Sequence, residues 1–227
     1  MARRAWTAFS DGFRRYPFDV VVAYKGPQQW GPANPLYRTA TGYQATMVGI
    51  PYDGLDSGDW DNKWNGRFPV EAWLERFQEV SRGFDEGCRL FAGVVPLVDD
   101  PGRRVAAEKE LQMFRAEAMH FRSVVDQSRF ILARNVGDRA AMRAVALEEL
   151  ATAKAYLPLV RGDSHIGYEC SNHYFYIPRD VVEKAIGCRM IADEMRNGAS
   201  IFAHGNFRAR LEIERLKYCI TTEVSRR

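Results

Sequence analysis

The densest group of side chains able to do chemistry lies late in the chain, over residues 161–176. Its histidines and carboxylates are suited to proton exchange near neutral pH, and its amide and phenol groups are suited to a polyhydroxylated ligand. The structural alternative is that these groups satisfy the backbone of a buried loop and that the tyrosines fill space between helices. The candidate ligand-binding residues of this segment are Glu169, Asn172, His173 and Tyr174.

A second polar and aromatic segment, residues 24–37, lies near the start of the chain. Amides hydrogen-bond hydroxyl groups as donors and as acceptors, and flat aromatic rings stack on the apolar face of a sugar. The alternative is a rigid loop, rich in proline and glycine, that packs on helices. The candidate ligand-binding residues here are Lys25, Gln28, Gln29 and Trp30, and Asp53 joins them from the loop that follows.

The patterns typical of metal sites are incomplete. The aspartates between Asp53 and Asp61 lack the glycine and glutamate spacing of an EF-hand, so a solvated turn is favoured. Glu117 and His120 form a Glu-x-x-His pair on a predicted helix. Helical di-iron proteins need two such pairs, and the chain has one. No metal or other cofactor is therefore predicted.

Catalytic residues cannot be assigned from these patterns. Cys170 and His173 are a thiol and a base close in sequence, but no third residue is evident that would orient the histidine. The chain has no P-loop, dinucleotide fingerprint or nucleophile elbow. Whether the protein is an enzyme stays open at this stage.

The composition is that of a globular protein, with 227 residues, 46% of them hydrophobic. The 32 basic and 29 acidic residues are interspersed, which predicts no nucleic-acid partner. No run approaches the ~20 apolar residues of a membrane span, and the start lacks the apolar stretch of a secretory signal. The four cysteines form no Cys-x-x-Cys pair, so we expect reduced thiols in a cytoplasmic protein.

Apolar residues that recur at spacings of three and four predict a mainly α bundle of about five to six helices. The apolar stripes run from Trp6 to Phe13, from Val70 to Phe91, from Leu111 to Leu132 after a cap at Asp100, from Ala146 to Leu157 after a cap at Asp138, from Val181 to Met195, and from Ala209 to Ile220.

The first third of the chain does not follow this pattern. Residues 19–24 and 43–50 have the composition of two short strands, and the aromatic content favours long ordered loops over disorder. We predict a single mainly helical domain over residues 1–227, loop-rich over 17–67 and bundled over 68–227.

Three stretches carry a resemblance to known proteins: residues 26–34 (GPQQWGPAN), 46–53 (TMVGIPYD) and 163–174 (DSHIGYECSNHY). Together they resemble the C-terminal helical region of poorly characterised bacterial glycoside-hydrolase-like proteins, over about Trp6 to Met195. In such proteins a catalytic barrel precedes this region, and the barrel is absent here. The resemblance implies a carbohydrate ligand and a barrel supplied by a longer protein or by a partner. The pair of carboxylates that a glycosidase needs cannot be assigned.

Three hypotheses remain open. A helical accessory or substrate-shaping module of a carbohydrate-active protein requires the two polar segments to converge on one pocket. A structural or interaction module without a ligand requires an exposed apolar patch for a partner. A small metal-dependent or acid–base enzyme requires Glu117 and His120 to lie close to His165, His173 or Glu169. We favour the first.

Overall fold

The computed structural model describes residues 1–19, 22, 28, 31–38, 64–167 and 176–197. Within these ranges the chain is a bundle of helices, as the apolar spacing predicts. The helices are α1 (Ala2–Phe13), α2 (Val70–Ala92), α3 (Pro101–Asn135), α4 (Arg139–Gly162) and α5 (Pro178–Asn197). Two short 3-10 turns, Gly31–Ala33 and Val95–Leu97, lie in the connections.

Aspartate side chains cap the N-termini of the two longest described helices at the positions that the sequence predicts. The Asp100 carboxylate accepts a hydrogen bond from the Arg103 backbone N–H at 2.7 Å. Asp138 accepts one from the Ala141 backbone N–H at 2.9 Å. Each bond satisfies an N–H group that the first turn of a helix leaves without an intrahelical partner.

Helix α3 is the longest described helix and contributes residues to both halves of the bundle. Its 35 residues make it about 52 Å long, and each helix packs against the next one along the chain. The earlier part of α3 joins α1 and α2 in a phenylalanine-rich core that includes Phe9, Phe77 and Phe114. Its later part packs with α4 and α5, where Phe130 and Cys188 are fully buried. The turn Gly31–Ala33 contacts α3, α4 and α5.

The structure differs from a candidate strand at Val22 and extends the apolar pattern at the end of α4. Val22, in the first candidate strand, has helical backbone and is fully buried. A short apolar run cannot by itself distinguish a strand from a buried helical segment. Helix α4 continues past Pro158 to Gly162, beyond the end of the apolar stripe at Leu157. Val160 explains the extra turn, because its side chain is buried in the core around Tyr156.

Other predictions fall outside the described residues, namely the candidate strand at 43–50 and the last helix at 209–220.

The two described cysteines are free thiols. Cys188 is fully buried and Cys88 is partly buried, which agrees with their predicted places on the apolar stripes. Burial raises the pKa of Cys88 to about 11 and that of Cys188 to about 12. Both sulfurs are therefore protonated and poorly nucleophilic near neutral pH.

In the part of the chain that the structure describes, every helix is too short or too polar to cross a bilayer.

Candidate functional site

A cavity of about 340 Å³ lies between the phenylalanine-rich core and the core around Tyr156. This volume is at the lower end of the about 300–1,000 Å³ that small-molecule sites occupy. Its walls come from all four helices α1 to α4 and from the two ends of the segment between α4 and α5. The lining residues are Phe13, Phe84, Met113, Ala116, Glu117, His120, Phe121, Tyr156, His165, Ile166, Gly167 and Tyr176.

Helix α3 supplies the first two ionisable groups. Glu117 and His120 are three residues apart, so they project from the same side of the helix. Burial raises the pKa of Glu117, and the nearby Glu110 carboxylate raises it further. Burial lowers the pKa of His120. Both shifts favour the uncharged form of each group and move the two pKa values toward each other.

The early segment fixes the ring of His120. Its Nε2 lies 2.6 Å from the backbone oxygen of Gln28. A carbonyl only accepts, so Nε2 carries the proton and Nδ1 is left with a lone pair. Gly31 lies against the same ring with φ at +44°, and a Cβ at this position would overlap the imidazole. Glycine is therefore required at position 31 both by its backbone and by its neighbour.

Two tyrosines form a second wall. The hydroxyls of Tyr156 and Tyr176 are hydrogen-bonded to each other, with ring centroids 6.0 Å apart. Burial raises the pKa of Tyr176 to about 12. Burial also raises the pKa of Tyr156, and the charges of Tyr176 and Glu117 add to the effect. Both phenols are therefore neutral hydrogen-bonding groups near neutral pH.

The third ionisable group, His165, comes from the turn after α4. Asp163 organises this turn, because one of its oxygens accepts the His165 backbone N–H at 2.9 Å and lies 2.7 Å from the His165 Nδ1. The His165 bond is the main cause of the lowered pKa of Asp163. The side chain of His165 is 82% exposed, so it stands at the mouth of the cavity.

Both ends of the late segment also meet here. The Tyr176 backbone N–H donates to the Gly167 oxygen at 3.0 Å, which joins these two residues of the late segment at the cavity wall. Gly167 has φ at +90°, and a Cβ there would lie 2.7 Å from the Tyr176 carbonyl oxygen. A larger residue at 167 would therefore push the two ends of the segment apart.

Of the predicted ligand-binding residues, the structure describes Gln28. Its backbone oxygen accepts a hydrogen bond from the His120 Nε2, and its side chain is partly buried. The remaining predictions lie outside the described residues: Lys25, Gln29, Trp30, Asp53, Glu169, Asn172, His173 and Tyr174.

A buried polar network that the sequence patterns do not predict connects α3, α4 and α5. Gln127 on α3 donates to the Gly31 oxygen at 2.7 Å and to the Ser123 hydroxyl at 2.8 Å. Ser123 in turn donates to Glu149 at 2.8 Å. Glu149 is ion-paired with Lys184 at 2.6 Å, and both side chains are within 1% of complete burial.

The same network fixes the early turn. Lys184 also donates to the backbone oxygen of Asn34, and the Asn34 side chain donates to Gln127 at 2.6 Å. One signal in the sequence pointed to it, because Lys184 lies three residues after Val181 and four before Cys188. It therefore occupies a position of the apolar stripe, where a lysine needs a buried partner.

Among the described residues, no three histidine, cysteine, aspartate or glutamate side chains are arranged to hold a metal ion. Comparison of the chain with models of protein families, with curated proteins and with solved structures gave no match.

Proposed function

We propose that this chain is a helical carbohydrate-binding module of a carbohydrate-active protein, and that the cavity around Glu117, His120 and His165 receives the sugar. Its size suits one or two sugar rings. Its aromatic residues offer flat faces for the C–H side of a sugar, and its histidines, tyrosines and glutamate offer partners for hydroxyl groups.

One observation carries the proposal. The early segment reaches the cavity through Gln28 and Gly31, which contact His120, and the late segment contributes Gly167 and Tyr176 to the cavity wall. Two of the three stretches that resemble glycoside-hydrolase-like proteins, residues 26–34 and 163–174, thus reach the same cavity. Within the proposal, a catalytic barrel in a longer protein or in a partner supplies the bond-breaking chemistry. The free thiols Cys88 and Cys188 fit a reducing, cytoplasmic setting.

Isothermal titration calorimetry of the full chain against neutral oligosaccharides and uronic acids tests this function. We expect saturable binding of at least one neutral sugar, accompanied by a rise in melting temperature. His165→Ala should weaken that binding about threefold to tenfold, as expected for one lost hydrogen bond. The fold should be unaffected because the side chain is largely exposed.

Lys154→Ala is the matched control, since Lys154 is exposed on α4 and does not line the cavity. It should bind like the unmodified chain. Absence of binding across the sugar panel, or equal weakening by both variants, would contradict the proposed site.

A second function is favoured by a specific observation. Glu117, His120 and His165 line one cavity, which is the proximity that an acid–base enzyme requires. Such an enzyme would remove a proton from carbon with one group and return a solvent proton with another. Incubation of a bound sugar in D₂O would then place deuterium on carbon, as NMR detects, and Glu117→Gln would stop it. A sugar that keeps all its C–H protons would eliminate this function and leave binding alone.

A further inference from the structure

We propose, on the basis of the sugar-binding function above, that the cavity prefers sugars that carry a protonated amine and that Glu117 is the residue that pairs with the amine. The proposal concerns the charge of the ligand, which neither the resemblance nor the composition indicates.

The described wall of the cavity contains one carboxyl group, on Glu117, and neither lysine nor arginine. His120 is held in its neutral form by burial, with its one N–H committed to the Gln28 carbonyl. The phenols of Tyr156 and Tyr176 are neutral as well. Past His165, which stands at the mouth, a ligand inside the cavity therefore meets a described wall that is negative or neutral.

Glu117 also lies in surroundings that, among the described residues, disfavour its charged form. The charged group that acts on it within the described residues is another carboxylate, Glu110, and burial adds to the cost of its ionised form. A partly desolvated carboxylate gains most from a cation that enters with the ligand. An ammonium group on a sugar supplies that charge together with a short, charge-assisted hydrogen bond.

The same arrangement disfavours acidic sugars. A uronate or a sugar phosphate would bring a second negative charge close to Glu117, with no described guanidinium or ammonium group on the wall to receive it. N-acetylation of an amino sugar removes the positive charge and therefore removes the favourable pairing with Glu117. The predicted order of affinity is free amino sugar, then neutral sugar, then uronate.

Met113 offers a local readout, because it lines the cavity and its methyl group can be labelled with ¹³C. The probes are four methyl glycosides with one ring geometry: those of glucosamine, N-acetylglucosamine, glucose and glucuronic acid. Each is titrated into the full chain at about pH 6.5, where an amine is protonated. Met113→Leu identifies the resonance. We expect glucosamine to bind about tenfold more tightly than glucose, as a charge-assisted hydrogen bond allows.

Glu117→Gln keeps the shape of the side chain and removes the charge. It should reduce the preference for glucosamine over glucose to less than about twofold, because the amine loses the charge that pairs with it. Glu117→Asp should retain part of the preference. Glu108→Gln is the control, because Glu108 is exposed on the same helix and lies outside the cavity wall.

The outcomes separate the two proposals. If no sugar moves the Met113 resonance, the sugar-binding function itself fails. If glucose and glucosamine bind equally to the unmodified chain, or if Glu117→Gln keeps the full preference, sugar binding stands and the amine subsite is overturned. The comparison among the four glycosides on the unmodified chain decides the matter even if Glu117→Gln fails to fold.

Discussion

At the scale of single residues, His120 connects the sequence patterns to the cavity. Its spacing from Glu117 is visible in the sequence and allows a metal site, a surface pair or a core pair. In the structure, the His120 Nε2–H donates a hydrogen bond to the Gln28 carbonyl, and the imidazole ring lies against Gly31. The imidazole therefore acts as a neutral, oriented group whose second nitrogen can accept a hydrogen bond.

This environment predicts that His120 titrates below the ordinary histidine value of 6.5, because burial outweighs the bond to Gln28. A histidine whose pKa is lower in the folded state contributes stability above about pH 6.5, and that contribution is lost as the pH falls through the folded value. Proton NMR of the imidazole resonances, assigned with His120→Asn, measures this directly. A pKa at or above 6.5 for His120 would contradict the burial argument.

At the scale of elements, the buried pair of Lys184 and Glu149 holds α4 to α5 and, through Asn34 and Gln127, holds the early turn to α3. Breaking one side of a buried ion pair leaves an uncompensated charge. Lys184→Met should therefore lower the free energy of unfolding by about 3–5 kcal/mol in urea titrations.

The double variant Lys184→Met, Glu149→Gln removes the stranded charge and should recover more than half of that loss. Equal losses in the single and double variants would show that the pair contributes by packing rather than by charge.

The crossing of α1 and α2 depends on two glycines. A Cβ on Gly83 would lie 2.5 Å from the Gly12 Cα, which is backbone and cannot rotate away. Gly83→Ala should therefore destabilise the chain by about 1–3 kcal/mol through overpacking.

Gly187 on α5 is the matched control, with no atom within 4 Å of the Cβ that alanine would add. Gly187→Ala should stabilise the helix by about 0.5–1 kcal/mol, since alanine loses less backbone entropy. Thermal denaturation of both variants gives the comparison, and a neutral Gly83→Ala would mean that the two helices do not approach this closely.

The elements were more predictable from the sequence than the site. Asp100 and Asp138 can be predicted as helix caps from the sequence. The apolar stripes predict each of the five described α-helices, because helical periodicity is a local property of the sequence. The turn beyond Pro158 and the helical backbone at Val22 depend on burial against distant residues, which local pattern does not encode. Lys184 and Glu149 are 35 residues apart in the sequence, so only the fold identifies them as partners.

At the scale of the whole molecule, the cavity exists because α3 is shared by two cores. Phe84 and Phe121 close it from the phenylalanine-rich core, and Tyr156 and Tyr176 close it from the other. The sequence shows which segments are polar and aromatic, whereas their attachment to one cavity depends on the order in which the helices pack. Ligand entry at this junction would stabilise both cores together, so we expect binding to raise the melting temperature of a single cooperative transition.

The most direct test of the proposed sugar site is a crystal structure of the chain with a sugar that binds in solution. We expect a sugar ring in the cavity, stacked on an aromatic wall residue, with hydroxyl or amine groups within hydrogen-bond distance of Glu117 and His165. A sugar bound elsewhere on the molecule, with the cavity between Glu117 and His165 unchanged, would contradict it.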